Sequence, residues 1–269
     1  MECLLDRTFV INLIFSFITG GIWITLATLA ADRFGSKIGG FLAGLPSTIV
    51  VALFFIAITE GPQMASSATT VMPLTMSVNA LFILVYIALV GTGFFRAIFF
   101  GLLTWLLLTI GLIMFNPDSL LFSLGAWLSI LILIFLVFKY VFHIPSLRRS
   151  RFHYTVVQII SRAVFSGSII VFAVLMSRIG GAVYGGIFST FPAVFISTII
   201  ITYHSAGADF SRAAAKSMVI SAFINVVVYA VAVRYFYLHL GLISGTAAGL
   251  AISFFSGFLT IKLIHNKFR

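Results

Sequence analysis

The sequence predicts an all-α polytopic membrane protein with nine transmembrane helices, arranged as 4+1+4 inverted-topology repeats. Three observations lead to this prediction: the composition, an internal repeat and the distribution of lysine and arginine. Of the 269 residues, 61% are hydrophobic and 8% are charged, and the mean hydropathy is +1.21. A soluble domain carries about 25% charged residues, so this chain could not cover a water-facing surface.

Nine apolar stretches are long enough to cross a bilayer, for which a helix needs about 20 residues. They are residues 8–31, 36–59, 65–92, 94–115, 119–142, 155–178, 181–204, 211–238 and 241–265. The segments Glu60-Gly61-Pro62 and Asn116-Pro117-Asp118 are helix-stop signals between spans. Only a short polar stretch, 31–37, separates the first two spans.

The two halves of the chain repeat one another at a constant spacing. Gly35 recurs as Gly181 and Pro46 as Pro192, an offset of 146 residues in both cases (181 − 35 = 192 − 46 = 146). The same offset, without a gap, relates Gly21 to Gly167, Gly39 to Gly185, Gly40 to Gly186, Gly61 to Gly207, Met72 to Met218 and Asn79 to Asn225. A shared register of glycine, proline and asparagine indicates an internal duplication.

The predicted organisation follows from this register. Repeat one is residues 8–115, the linker span is 119–142, a basic linker is 143–154, and repeat two is 155–265. Because five spans precede the second repeat, it enters the membrane from the face opposite to the first. This is the inverted-topology plan of many secondary transporters.

Lysine and arginine are distributed unevenly between the two predicted faces. The face with the N-terminus holds three: Arg7, Arg178 and Arg234. The other face holds thirteen of the 16: Arg33, Lys37, Arg96, Lys139, Arg148, Arg149, Arg151, Arg162, Arg212, Lys216, Lys262, Lys267 and Arg269. Basic residues concentrate in cytoplasmic loops. We therefore expect a multi-pass protein of the cell (cytoplasmic) membrane, with its N-terminus outside and its C-terminus in the cytoplasm.

The positive-inside rule also accounts for the net charge of +10, so we expect no nucleic-acid partner. The expected partners are the lipid bilayer and a solute of unknown identity, and the 143–154 linker is expected to contact anionic headgroups. A homo-oligomer is compatible with the sequence, which does not define the oligomeric state.

A resemblance adds to this interpretation of the second repeat. The stretch Tyr184-Gly-Gly-Ile-Phe-Ser-Thr-Phe-Pro192, followed by Tyr203-His204, Arg212-Ala213-Ala214 and apolar runs to Lys262, resembles the small four-helix GlpM-like membrane proteins. The likeness covers residues 155–265 and, more weakly, 8–115, where Leu45-Pro46 stands in for Phe-Pro. It implies a four-span module that pairs with an inverted copy, and it implies no catalytic residue.

Prolines and small polar residues lie near the middle of spans 2 and 7. A proline inside a helix lacks an N–H and frees a carbonyl one turn earlier, which needs a partner in hydrocarbon. The alternatives are broken helices that line a substrate site, or kinked helices packed through small residues. The predicted substrate-binding residues are Pro46, Ser47, Thr48, Asn79, Ser189, Thr190, Pro192 and Asn225, and the predicted hinge or helix-break residues are Gly39, Gly40, Gly185 and Gly186.

The two asparagines, Asn79 and Asn225, occupy equivalent positions deep in spans 3 and 8. Thr75 and Ser221, four residues earlier, lie on the same helical faces. A buried amide needs partners, so these side chains either contact the solute or join helices to one another.

No catalytic or metal-binding constellation is present in the sequence. The carboxylates lie before span 1 or at span ends, so a carboxylate relay inside the membrane is not expected. Glu60, on the outer face, is either a functional carboxylate or a helix-end residue at the interface. Tyr203 and His204 end span 7 on the cytoplasmic side, where the histidine is either an interfacial residue or one that takes part in gating or protonation. Cys3 is the single cysteine, and motifs for proteases, hydrolases and nucleotide binding are missing. We therefore expect neither an enzyme nor a metal nor a cofactor.

The leading functional hypothesis is a transporter of a small or lipid-linked solute, which works by alternating access at a midplane site. The alternative is a non-transporting scaffold or accessory protein of an envelope pathway. A transporter predicts a hydrated cavity between Pro46 and Pro192, whereas a scaffold predicts dry packing there.

Overall fold

The computed structural model describes residues 6–33, 46–142, 144 and 154–267. These residues form nine α-helices and one 3-10 turn, and no strand occurs among them. In chain order the helices are α1 Arg7–Arg33, α2 Ser47–Glu60, α3 Pro62–Ala68, α4 Met72–Leu89, α5 Phe94–Phe115, α6 Leu120–Tyr140, α7 Val156–Ser189, α8 Ala193–His239 and α9 Leu242–Lys267. The 3-10 turn, Val90–Thr92, joins α4 to α5.

Long apolar helices make this a membrane-embedded protein. Within the described ranges, six helical stretches are long and apolar enough to cross a membrane. Helices α5 and α6 direct large apolar side chains away from the bundle, and Phe95, Met114 and Leu121 are each 82% exposed. Such a surface is stable against lipid and would be costly in water.

Helix α4 forms the centre of the bundle, where 67% of the stretch Met72–Thr92 is buried, against 11% of α6. It packs against α5, α6 and α8. The largest buried side chains include Phe82 and Tyr86 of α4 and Phe223 and Tyr229 of α8. Two of the predicted midplane residues, Asn79 of α4 and Asn225 of α8, are therefore buried within the bundle.

Helices α1 and α7 cross in antiparallel orientation through small residues. A Cβ added at Gly167 would lie 3.0 Å from the Phe17 carbonyl oxygen, and one added at Gly21 would lie 3.8 Å from the Ala163 Cβ. The two pairs have the same sum of positions (17 + 167 = 21 + 163 = 184), as an antiparallel crossing requires. The start of α1 meets the end of the first part of α7, where Arg178 Nη2 lies 3.4 Å from Asp6 Oδ2.

Charged and polar contacts define the two ends of the bundle. Arg178 also lies 3.9 Å from Glu60, and we name this end the Glu60 face. At the other end the Tyr86 hydroxyl lies 2.6 Å from that of Ser211, and the neighbouring Arg212 donates to a carbonyl of α4. We name this end the Arg212 face.

Glycines at positive φ break the long helices. Gly61 (φ 92°, ψ 158°) ends α2, and Gly207 (φ 82°, ψ −177°) breaks α8. They are equivalent in the repeat (207 − 61 = 146), and both occupy a region open essentially to glycine alone. Gly181 (φ 75°) breaks α7 in the same way.

The structure differs from two of the predicted spans. The span predicted at 181–204 is interrupted at Thr190–Pro192, because a proline there ends one helix and begins the next. The span predicted at 65–92 is divided by a turn at 69–71 into α3 and α4, and that predicted at 211–238 lies within α8. Of the span predicted at 36–59, residues 36–45 lie outside the described ranges, and α2 begins at Ser47.

Candidate functional site

A small cavity lies where the two halves of the chain meet. Its volume is about 40 Å³, which is room for a few water molecules. The wall includes residues that occupy equivalent positions in the repeat: Pro46 with Pro192, Thr48 with Val194, Ile49 with Phe195, and Met76 with Ala222. Ser47, Asn79, Thr190, Phe191 and Val226 complete it. Both halves therefore contribute like positions to one space.

The two prolines have the same backbone conformation. Pro46 has φ −73° and ψ 52°, and Pro192 has φ −77° and ψ 40°. Each immediately precedes a helix, and the prolyl carbonyls accept from Val50 (3.0 Å) and Ile196 (2.8 Å). The first amides of a helix have no acceptor within it, so two helix N-termini with their partial positive charge adjoin the cavity.

The length of α2 predicts that Pro46 lies inside the membrane. This helix has 14 residues, or about 21 Å at 1.5 Å per residue. The hydrocarbon core is about 30 Å thick, so a helix that ends at the Glu60 face must begin below the surface. The equivalent segment 193–206 ends at Gly207 near the Arg212 face and has the same length, so we expect both breaks to lie within the bilayer.

Asn79 joins the two halves at the break. Its side chain is 2% exposed, and its amide Nδ2 donates to the Thr190 carbonyl at 2.7 Å. Its Oδ1 accepts from Trp105 Nε1 at 2.9 Å. The carbonyl at the end of the half-helix 182–189 is thereby satisfied by a side chain from the other half of the chain.

The hydroxyl of Thr190 adds a second contact between the halves. It donates to Thr75 Oγ1 at 2.7 Å, and Thr75 donates to the Met72 carbonyl at 3.0 Å. The residue four positions before Asn79 therefore also reaches the break in α7–α8, as the shared helical face predicts.

Two hydrogen bonds of Asn225 lie within the second half. Its Nδ2 donates to Ser221 at 3.3 Å, and its Oδ1 accepts from Ser256 of α9 at 2.9 Å. The cavity wall is formed instead by its neighbours Ala222 and Val226. The structure thus brings Asn79 to the cavity and directs Asn225 towards α9.

The other predicted site residues divide into two groups. Ser47 and Thr48 line the cavity. Ser189 donates back to the Gly185 carbonyl at 2.6 Å and is not part of the described cavity wall. A Cβ on Gly185 would lie 2.7 Å from Ser177, and one on Gly186 would collide with the Ala68 carbonyl, so both glycines allow close helix packing. Gly39 and Gly40 lie outside the described residues. A substrate-binding role for any of these residues stays a prediction.

Two arginines join the halves at opposite faces. Arg234 Nη1 donates to the Ser66 carbonyl (3.1 Å) and to Thr70 Oγ1 (2.8 Å) at the Glu60 face. Arg212 Nε donates to the Ile87 carbonyl (3.2 Å) at the Arg212 face. We name these contacts the Arg234 clasp and the Arg212 clasp.

The two clasps are related by the internal repeat. Arg212 is the repeat equivalent of Ser66 (212 − 66 = 146), and Arg234 is the equivalent of position 88, which follows Ile87 (234 − 88 = 146). Both clasps therefore join equivalent positions of the repeat, and the half that supplies each position is exchanged between the two clasps. A pseudo-two-fold axis would relate the contacts in this way.

Arg162 is a residue whose placement the sequence analysis missed. The sequence places it among the thirteen basic residues of the predicted cytoplasmic face, but its side chain is 6% exposed. Its Nη1 donates to Thr198 at 3.1 Å and to Tyr154 at 3.5 Å. An arginine seven residues into an apolar helix was the signal for a buried charge.

Three of the carboxylates whose side chains are described lie at the faces, as the sequence predicts. Asp6, Glu60 and Asp209 are near Arg178 or Arg212. The Phe9 backbone N–H, which donates to Asp6 at 2.6 Å, holds the pKa of that carboxyl below its usual range.

Tyr203 and His204 pack against Phe94 at the Arg212 face. No cluster of metal-ligating side chains occurs among the described residues.

The comparison with protein families gives one match, which covers the chain in two parts. The family model described as "Protein of unknown function (DUF3147)" matches residues 13–120 and 159–267. The two matches begin 146 residues apart (159 − 13 = 146), which is the offset of the internal repeat. Neither a curated protein nor a solved structure matches the chain.

Proposed function

We propose that this chain, which belongs to the DUF3147 family of proteins of unknown function, transports a small or lipid-linked solute across the membrane. Transport would proceed by alternating access at the cavity between the two halves. The proposal includes no catalytic step and no cofactor. The observation that carries it is the cavity itself, because two interrupted helices meet there inside the membrane.

The proposed architecture is nine spans in 4+1+4 inverted-topology repeats. In this arrangement α7 supplies span 6 and half of span 7, and α8 supplies the other half and span 8. The antiparallel pairing of α1 with α7, the matching proline conformations and the two-part family match support it. The resemblance of residues 155–265 to the GlpM-like proteins would then be that of one module paired with its inverted copy.

The two clasps would act as gates in this mechanism. Each holds the halves together at one face, and the cavity lies between them. Opening requires that the halves separate at one face while they stay together at the other. The internal repeat makes the two clasps equivalent. The outward-facing and inward-facing states would therefore arise from the same motion at opposite faces.

The proposed location is the cell membrane, with the Glu60 face outside and the Arg212 face in the cytoplasm. The bias of thirteen to three basic residues supports this orientation. In a Cys3→Ser background, cysteines at Gln63 and Ser150 should react with a membrane-impermeant thiol reagent from opposite sides. Labelling of both positions from the same side would contradict the nine-span count and the inverted repeat.

Alternating access itself predicts that the cavity wall is reachable from both sides. A cysteine at Thr48, in the Cys3→Ser background, should react with an impermeant thiosulfonate in right-side-out and in inverted vesicles. These reagents attack the hydrated thiolate. The matched control is Leu107→Cys, which is 60% exposed towards lipid on α5 and should react from neither side.

A scaffold or accessory role in an envelope pathway is the second candidate. The small volume of the cavity and the satisfied amide of Asn79 favour it. In that case the cysteine at position 48 would be sealed from both sides, which would contradict transport. Labelling from one side alone would indicate a fixed pore or vestibule and would also exclude alternating access.

A further inference from the structure

We infer that the guanidinium of Arg162 binds an oxyanion group, a carboxylate or a phosphate, and that this group belongs to the transported solute. The assignment of this group to the transported solute rests on the proposed function, whereas the assignment of the binding site to Arg162 does not. It starts from the position of Arg162 between α7 and α8, where the side chain is 94% buried (6% exposed).

The described contacts of Arg162 leave its charge unbalanced. Thr198 and Tyr154 accept from Nη1 through neutral hydroxyls, and the Tyr154 ring lies 5.3 Å from Cζ. The buried Nε has no hydrogen-bond partner, and no ion pair with Arg162 forms among the described residues. An unpaired cation is expensive inside a protein or a membrane, so a missing anion would complete the site.

The fold does not require a charge at this position. The repeat equivalent of Arg162 is Ser16 (162 − 146 = 16), a neutral residue that is fully buried on α1. The other half of the bundle therefore packs the same place without a cation. This contrast points to a function for the charge that only one half performs.

Arg162 lies between the Arg212 face and the cavity. Tyr154, half-buried just before α7, covers it on the side of that face. On the other side, Thr198 donates to the carbonyl of Val194 at 2.7 Å, and Val194 is part of the cavity wall. An anion bound at Arg162 would next meet the two helix N-termini at Pro46 and Pro192, which also favour negative charge.

The chemistry of the group selects an oxyanion. A guanidinium presents five N–H donors in a plane, and the free donors on Nε and Nη2 match the two oxygens of a carboxylate or phosphate. The oxyanion could come from a free solute or from a lipid headgroup, so the experiment has an arm for each.

The test measures the thermal unfolding midpoint of the full chain. In detergent, sodium phosphate and sodium acetate are compared with sodium chloride at equal ionic strength. In nanodiscs, phosphatidylglycerol is compared with phosphatidylcholine. The variants are Arg162→Gln and Arg162→Lys, and the control is Arg96→Gln, which removes an exposed charge near the same face.

At least one oxyanion should raise the midpoint of the wild type and of Arg96→Gln. Arg162→Gln should raise the half-effective concentration by about 10- to 100-fold, as expected when a charge-assisted hydrogen bond is lost, and Arg162→Lys should retain part of the effect. A rise in the midpoint with phosphate or acetate would identify a free solute as the source of the oxyanion. A rise with phosphatidylglycerol alone would identify a lipid headgroup as the source.

Without anion, Arg162→Gln should unfold at the same or a higher temperature than the wild type, because an unbalanced charge is removed. A lower midpoint together with no Arg162-dependent anion effect would overturn the inference and assign a structural role. If Arg162→Gln does not fold, a wild-type midpoint that responds to none of the oxyanions overturns it, and a response that is weakened but retained in Arg162→Lys supports it. If an oxyanion binds at Arg162 but the cysteine at position 48 is labelled from neither side, the proposal of transport is refuted and the proposed binding site is retained.

Discussion

Arg234→Ala should open the cavity to the Glu60 face, and Arg212→Ala should open it to the Arg212 face. The readout is the labelling rate of a cysteine at Thr48 from each side, in the Cys3→Ser background. Arg234 makes hydrogen bonds of 2.8 and 3.1 Å across the halves, and Arg212 makes one of 3.2 Å. A charge-assisted hydrogen bond contributes about 1.5–3 kcal/mol, so each variant should raise labelling from its own side by about tenfold or more.

The opposite direction of the two effects is the distinctive part of this prediction. A general loss of stability would raise labelling from both sides in both variants. Arg96→Ala is the matched control, since Arg96 is exposed on α5 and its loss removes the same charge. If both clasp variants open the same face, or neither changes labelling, the clasps are not gates.

The repeat register allowed equivalent backbone breaks in the two halves to be predicted from sequence. It placed Pro46 and Pro192 at equivalent points, and the structure gives them nearly the same φ and ψ. It also paired Gly61 with Gly207, and both end a helix at positive φ. The 146-residue spacing predicts these backbone breaks because proline and glycine affect the backbone locally, independently of the residues that pack around them.

Contacts between the halves could not be predicted in the same way. Asn79 and Asn225 are equivalent in sequence, yet the first reaches the other half and the second contacts α9. The surroundings differ, since Trp105 donates to Asn79 while its repeat equivalent at position 251 is an alanine (105 + 146 = 251). An amide turns towards the donors and acceptors that tertiary packing supplies, and those are not encoded in its own helix.

Arg162 shows a different limit of the sequence analysis. Counting basic residues by face treats every charge as exposed to water or headgroups. Arg162 contributed to that count although it lies inside the bundle. The sum of the other twelve residues on that face still favours the predicted orientation, so a charge bias can persist when one residue's environment is predicted wrongly.

Asn79→Leu should have the largest effect on stability among the predicted site residues. It removes the donor to the Thr190 carbonyl and the acceptor of Trp105 Nε1. Each buried group left without a partner costs about 1–3 kcal/mol, so we expect a loss of about 2–5 kcal/mol in the free energy of unfolding. Asn225→Leu removes hydrogen bonds to Ser221 and Ser256 of the second half, so it should leave the two halves joined and retain two-sided labelling of a cysteine at Thr48.

A double-mutant cycle separates the bridge from a simple change in packing. Trp105→Phe removes the indole donor, so in Asn79→Leu/Trp105→Phe only the Thr190 carbonyl is left without its partner. The double variant should therefore be more stable than the sum of the two single losses, by about 1–2 kcal/mol. The free energies come from denaturant unfolding in detergent, and additive losses would contradict the hydrogen bond between Asn79 and Trp105. If Asn79→Leu folds and still labels at position 48 from both sides, the bridge between the halves is not needed for access, and Asn79 is only interhelical packing.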